Sequence, residues 1–369
     1  MYRKLSFFLI IVLAIGVSCT NSQNSDTSKP QTTKNIILLI GDGMGVTQVY
    51  SAITRAEKPL NFVRFPYSGF SKTYSVSDYI TDSGAGGTAI ATGHKTKNKA
   101  IAVDISGNKL ETILELAEKH GLSTGLVATC FLTHATPASF FAHDTFRYNY
   151  EAIAEDFLDV GVDAFVAGGK DHFADRKDGR NLIDSLESRG YYVTDSLDQV
   201  LEYNGSKLAG FVAPGHPVKM QEGRGDMLKK STEKVINILS KNEKGFFMMV
   251  EGSQIDWGGH DNDAEYVIEE TLDFDKAIGA ALDFAEKDGN TLVVVTADHE
   301  TGGMAIVGGD LKSGEMDVKF TTGGHSSVMV PVFAYGPGAE NFSGIMENTS
   351  FFNKFKNLYG FSDEENNVK

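Results

Sequence analysis

The stretch from Glu251 to His260 holds a glutamate, an aspartate and a histidine, with Asp256 and His260 four positions apart. On a helical turn that spacing sets a carboxylate oxygen and an imidazole nitrogen on one face, half of a zinc-type site. Asp298 and His299 repeat the two ligand types as an adjacent pair, and His325 sits in the glycine-flanked loop Gly323-Gly324-His325-Ser326. Asp42 lies between Gly41 and Gly43, where the backbone can turn tightly and approach an ion. Taken singly, each has an ordinary alternative, a Gly-Asp-Gly turn or a coincidental Asp–His pair.

Two further residues suit chemistry on an anionic group. Ser83 opens a run of small residues, Gly84 to Ala89, that reads as a closely packed helix start. Free backbone N–H groups and the helix dipole favour negative charge there, although a plain N-cap serine gives the same pattern. Arg147, thirteen residues past His134, offers a planar fork of donors matched to two phosphate oxygens; the alternative is a surface arginine.

These residues need elements to position them. Ile36 to Ile40 is a continuous apolar run bounded by Gly41, as expected of a strand buried on both faces. Gly125 to Ala128, Ala164 to Ala167, Phe246 to Val250, Thr291 to Thr296 and Val330 to Tyr335 are similar. Between them lie helical stripes: Leu110, Ile113, Leu114 and Ala117 before Gly121, and Val267 to Ala285 before Gly289. Strands alternating with helices predict an α/β three-layer sandwich with a mostly parallel central sheet. Sites in such sheets form beyond the carboxyl ends of the strands. Asp42, Glu251 and the Asp298-His299 pair each follow one of the runs. Val200 to Gly225, interrupted by Gly and Pro, reads as an inserted loop region near the site mouth. His94, His120, His143, His172 and His216 lack such context and read as structural or surface residues.

The chain has 369 residues and a formal charge of −15, which argues against a nucleic-acid binder because such proteins carry a basic stripe. Its first residues read as a leader rather than fold. Arg3 and Lys4 precede the apolar run Phe7 to Val17, which is too short to span a membrane. Residues 1–18 are expected to be a lipoprotein-type signal peptide, with Cys19 carrying lipid; a plain secretory peptide is the alternative. Residues 19–33 form a polar tether, and 34–369 a single catalytic domain. Either leader exports the protein, to the periplasm or cell surface. Cys130 is the one remaining thiol, so no intramolecular disulfide is expected, and it reads as buried packing.

From Asn35 to Tyr335 the chain resembles the alkaline phosphatase family. The resemblance rests on Gly41 to Gly45, Thr81-Asp82-Ser83, Ala135-Thr136-Pro137 with Arg147, Val250-Glu251-Gly252 with Asp256 and His260, and Thr296 to His299. It implies hydrolysis of phosphate monoesters through a phosphoserine at Ser83, with Arg147 on the phosphate. It also implies one zinc at Asp256, His260 and His325, a second at Asp42, Asp298 and His299, and magnesium at Asp42, Thr136 and Glu251. A homodimer is implied as well. His134 stands where the best-known bacterial members have an acidic residue, and Trp257 where they have a lysine. Both positions lie near the magnesium or the phosphate in that family. Phosphodiesterases, sulfatases and cofactor-independent phosphoglycerate mutases share related metal sheets and are the rival enzyme readings; a non-catalytic binding lipoprotein is the rival from another class.

Overall fold

The computed structural model describes residues 33–361. The signal peptide and the tether fall outside them apart from Thr33, whose hydroxyl donates to the Pro337 carbonyl at 3.1 Å. In chain order the strands are β1 (Asn35–Gly41), β2 (Tyr67–Lys72), β3 (Ser123–Phe131), β4 (Ala164–Gly168), β5 (Tyr192–Thr194), β6 (Leu208–Ala213), β7 (Phe246–Gly252) and β8 (Thr291–Thr296), then β9 (Glu300–Thr301), β10 (Ala305–Asp310), β11 (Glu315–Lys319), β12 (His325–Ser326), β13 (Val330–Tyr335) and β14 (Gly344–Glu347). Ten of them form one sheet in the order β14-β2-β13-β8-β1-β7-β3-β4-β6-β5. Every neighbouring pair from β8 to β5 is parallel. Only β13 runs against its neighbours, β8 and β2.

The apolar runs are continuous because both sheet faces are covered. Along β1, Ile36, Leu38 and Ile40 enter one core, while Ile37 and Leu39 enter the other. The first core is closed by helices Ser83–Thr92, Ile113–Lys119, Tyr150–Val160 and Ser350–Tyr359, through residues such as Ile90, Leu114, Phe157 and Phe355. The second is closed by helices Met227–Leu239 and Ala264–Asp288, through Val235, Val267 and Phe274. Each such side chain taken fully out of water contributes about 1.5–3 kcal/mol, which makes the sheet a rigid platform. The long helix stops at Gly289, which adopts φ 73, as its stripe predicts.

Register decides what meets at the sheet edge. Ile40 of β1 pairs with Glu251 on one side and with Thr296 on the other. The three strand ends are therefore level, and the residues that follow them arrive together.

Two sequence expectations need correction. Val200 to Gly225 is not an inserted loop region throughout: Leu197–Glu202 is helical and β6 is an interior strand between β4 and β5. Its short run with Gly210 carries little pattern of its own, and pairing on both sides makes it a strand. Leu110 lies outside its predicted helix, which starts at Ile113 because Thr112 and Glu115 form a capping box. Among the described residues, no helix is long and apolar enough to cross a membrane.

Candidate active site and metal centre

Where β1 ends, the chain must turn at once to leave Asp42 at the sheet edge. Asp42 N donates to the Gly252 carbonyl at 3.2 Å, and Gly43 N donates to Asp298 Oδ1 at 3.3 Å. Gly43 has φ 72, and a Cβ there would lie 2.6 Å from the Asp256 Cα. Left-handed backbone and close backbone approach both require glycine. Gly43→Ala is expected to cost about 1–3 kcal/mol and to weaken cation binding by pushing Asp256 away. Thermal melting and zinc titration of the purified variant check this; unchanged values would show that the loop yields freely.

Asp256 and His260 lie in the one-and-a-half-turn helix Ile255–His260, and His325 comes from β12. His260 Nε2 is 3.4 Å from Asp256 Oδ2 and 3.2 Å from His325 Nε2, which is 3.6 Å from Asp256 Oδ1. In the second set, His299 Nε2 is 3.4 Å from Asp42 Oδ1 and 3.3 Å from Asp298 Oδ2. Ligands about 2.0–2.1 Å from a tetrahedral centre stand about 3.3–3.4 Å from each other, so both sets have the spacing of zinc ligands. The histidines are also held in one tautomer. Nδ1 of His260 donates to the Gly323 carbonyl and Nδ1 of His325 to the Thr81 carbonyl, each at 2.8 Å. His299 Nδ1 lies 3.2 Å from the Thr301 hydroxyl oxygen, whose own proton goes to Asp256 Oδ1. All three Nε2 atoms keep their lone pairs for the centre.

Asp42 divides its oxygens, with Oδ1 in the second set and Oδ2 accepting from the Thr136 hydroxyl at 3.4 Å. Glu251 stands on the same side, with the Cys130 thiol 3.2 Å from its Oε2. Asp42 Oδ1, Asp298 Oδ2 and Glu251 Oε1 are buried without a hydrogen-bond partner. Burial, reinforced by Asp298, Asp256 and Glu251, holds the Asp42 carboxyl well above the usual carboxylate range. Burial and Asp256 push Asp298 up to about 8, and burial pushes Glu251 up to about 7. His299 is pushed well down by burial, then by His325, Arg147 and His260. Unpartnered buried oxygens among repelling carboxylates and neutral imidazoles are what divalent cations satisfy, so the donors fit zinc-type ions.

Ser83 is not the helix cap. Asp82 fills that position, accepting from Ala85 N at 3.0 Å, so Ser83 is the first helical residue and its hydroxyl is spared. Ser83 Oγ lies 3.2 Å from His299 Nε2, at the second set. Asp82 also anchors Arg147: Nη1 donates to Asp82 Oδ2 at 2.9 Å, while Nη2 is 3.3 Å from His134 Nε2. Burial would lower the guanidinium pKa, but the Asp82 charge outweighs it and the net shift is upward. The His134 ring meets the Trp257 ring edge-on at 6.3 Å between centroids.

The structure thus brings Asp42, Ser83, His134, Thr136, Arg147, Glu251, Asp256, Trp257, His260, Asp298, His299 and His325 into one edge of the sheet. Sequence reading assigns no role in the site to four neighbours. Asp82 was legible as a cap, being the residue before a helix start. Thr301, which links the two histidine–carboxylate sets, carried no signal because its partners lie far away in sequence. Cys130 read as packing. His216 read as structural or surface, yet it stacks on Phe131 at 3.9 Å and meets Trp257 at 4.6 Å between centroids.

Paired cation-binding donor sets beside a serine hydroxyl and a buried guanidinium, at the strand ends of a parallel sheet, are the arrangement of a metallohydrolase. Comparison with known proteins is more specific. The alkaline phosphatase family model matches residues 33–316. Alkaline phosphatase 3 of Bacillus subtilis (strain 168) is 38% identical, across 88% of this chain and 89% of its own. The alkaline phosphatase of Escherichia coli (strain K12) is 34% identical, across 91% and 88%. The solved alkaline phosphatase of the Antarctic bacterium TAB5 superposes with a TM-score of 0.86 at 40% identity, covering 90% of this chain and 100% of that one. A histidine-to-aspartate variant of the same enzyme is described with magnesium bound in its M3 site. The chain belongs to the alkaline phosphatase family and is a phosphoric monoester hydrolase.

Proposed function

We propose that the chain cleaves phosphate monoesters in two displacements, through a phosphoserine at Ser83. Zinc would be held by Asp256, His260 and His325, and by Asp42, Asp298 and His299. A third divalent cation would be held by Asp42, Thr136 and Glu251, three oxygen donors that by themselves suit magnesium. The observation that carries this reading is the 3.2 Å between Ser83 Oγ and His299 Nε2, which sets the hydroxyl against the second donor set. When bound, the cations supply Lewis acidity that lowers the hydroxyl pKa and neutralises charge on the phosphoryl group.

Ser83 Oγ attacks phosphorus as its proton passes to solvent, and the ester oxygen leaves with the bonding pair and takes a proton from solvent to become the alcohol. The bound histidines cannot act as bases, because each is committed at both nitrogens. Arg147 has an N–H to spare on each terminal nitrogen beyond those facing Asp82 and His134, and donates both to non-bridging oxygens. His134 and Trp257 line the phosphate side of this fork. His260 is the open edge, with 39% of its side chain accessible, so the alcohol departs and water enters there. Water then displaces Ser83 from phosphorus and frees inorganic phosphate.

Comparing turnover of nitrophenyl phosphate, a bis-nitrophenyl phosphodiester and nitrophenyl sulfate tests the reading. The monoester is expected to exceed the others by orders of magnitude; an equal or faster diester would overturn it. Export, lipid on Cys19, periplasmic or cell-surface placement and a homodimer belong to the same proposal, supported by the leader's residues and by family membership.

A further inference from the structure

Trp257 is half-buried along the edge of the first core, and an indole can turn about two side-chain torsions, so what stands beside it decides where it points. Its ring neighbours meet it edge-on, His134 at 6.3 Å and His216 at 4.6 Å between centroids. His216 is exposed, yet its ring is held twice. Its face stacks on Phe131 at 3.9 Å between centroids, and its Nδ1 accepts from the Phe131 backbone N–H at 3.2 Å. The loop that carries it is fixed as well. Pro217 restricts the backbone of His216 before it. The Pro214 carbonyl accepts from Asp171 N at 3.1 Å, and a Cβ on Gly168 would lie 2.0 Å from the Gly215 carbonyl oxygen, so the loop rests on the end of β4. Gln254, which precedes the helix Ile255–His260, donates to the Pro217 carbonyl at 2.8 Å. Farther along, Arg224 is buried against Glu270 and Asp273 of the helix Ala264–Asp288, and its Nη1 reaches back to the Val218 carbonyl at 3.3 Å. A guanidinium held by two buried carboxylates is a rigid anchor for such a loop.

We propose that His216 is a positioning residue: its ring holds the Trp257 indole on the phosphate side of Arg147 and so raises the affinity of the site for phosphate. The inference rests on the reading above that Trp257 lines that side of the fork. Rings packed edge to face at this distance attract, and the contact favours one orientation of the indole. An indole already in place loses no rotamer freedom when phosphate arrives, so ordering it beforehand tightens binding. Ester and inorganic phosphate present the same group to Trp257, so the affinities for substrate and product move together. A histidine that only secured its loop would leave the indole where it is.

Trp257 is the chain's one tryptophan, so its emission reports this contact directly in the full-length, metal-loaded protein. In His216→Ala, acrylamide quenching of that emission is expected to rise and its polarisation to fall, as the indole is freed. KM for nitrophenyl phosphate and Ki for inorganic phosphate are each expected to rise about two- to tenfold, the size of one aromatic pair, while kcat does not fall. His216→Phe keeps a ring against the indole and is expected to recover most of both changes. In a Trp257→Ala background, His216→Ala is expected to add no further loss, because it acts through the missing ring. Unchanged quenching in His216→Ala, or an equal further rise in KM in the Trp257→Ala background, would overturn the inference and leave the phosphatase reading standing. If Trp257→Ala alone leaves KM and Ki unchanged, the placement of Trp257 on the phosphate side falls, and this inference with it.

Discussion

Ser83→Ala is expected to lower kcat for phosphate monoesters by roughly 10³-fold or more, with metal content unchanged. The variant removes a single oxygen that sits 3.2 Å from His299 Nε2. Its structural cost should be small, because the helix is capped by Asp82 rather than by Ser83, and alanine suits the first turn. A capping serine would instead have cost about 1 kcal/mol and moved the melting temperature. Acid-quenched reactions with labelled monoester should trap phosphate on the wild type and none on the variant. Near-normal turnover by a fully metal-loaded variant would remove Ser83 from the chemistry.

Stripping the protein with a chelator is expected to abolish turnover and to lower the melting temperature together. Without cations, Asp42 Oδ1, Asp298 Oδ2 and Glu251 Oε1 remain buried and unpartnered, and the carboxylates repel one another. Cations that bind only the folded state stabilise it by mass action, about 2.7 kcal/mol at a hundred times Kd. Zinc should restore both properties. Calcium should restore neither, because it takes six to eight oxygens at about 2.3–2.6 Å, whereas these sets offer His260, His325 and His299 nitrogens at tetrahedral spacing. Activity recovered by calcium alone would contradict the nitrogen-rich sets.

Much of the scaffold was legible in the residues. The runs at Ile36, Gly125, Ala164, Phe246, Thr291 and Val330 are strands, because a doubly covered sheet demands apolar side chains on both faces. Strands β5 and β6 were not legible. They are short, and pairing rather than composition makes them strands.

Local pattern suffices for the α/β class, the three strand ends that carry Asp42, Glu251 and Asp298, and the ligand types available there. Those follow from local periodicity and side-chain chemistry. Contacts between distant segments set the rest. Level register of β1, β7 and β8 brings the carboxylates within reach. The Gly323 and Thr81 carbonyls fix which nitrogen of His260 and His325 faces inward. Asp82 takes the capping role, releasing the Ser83 hydroxyl and holding Arg147 beside it. Cys130, apolar filler by composition, stands against Glu251 because two parallel strands align. Each of these depends on partners far apart in the chain, and no local pattern records a contact that only the folded sheet creates.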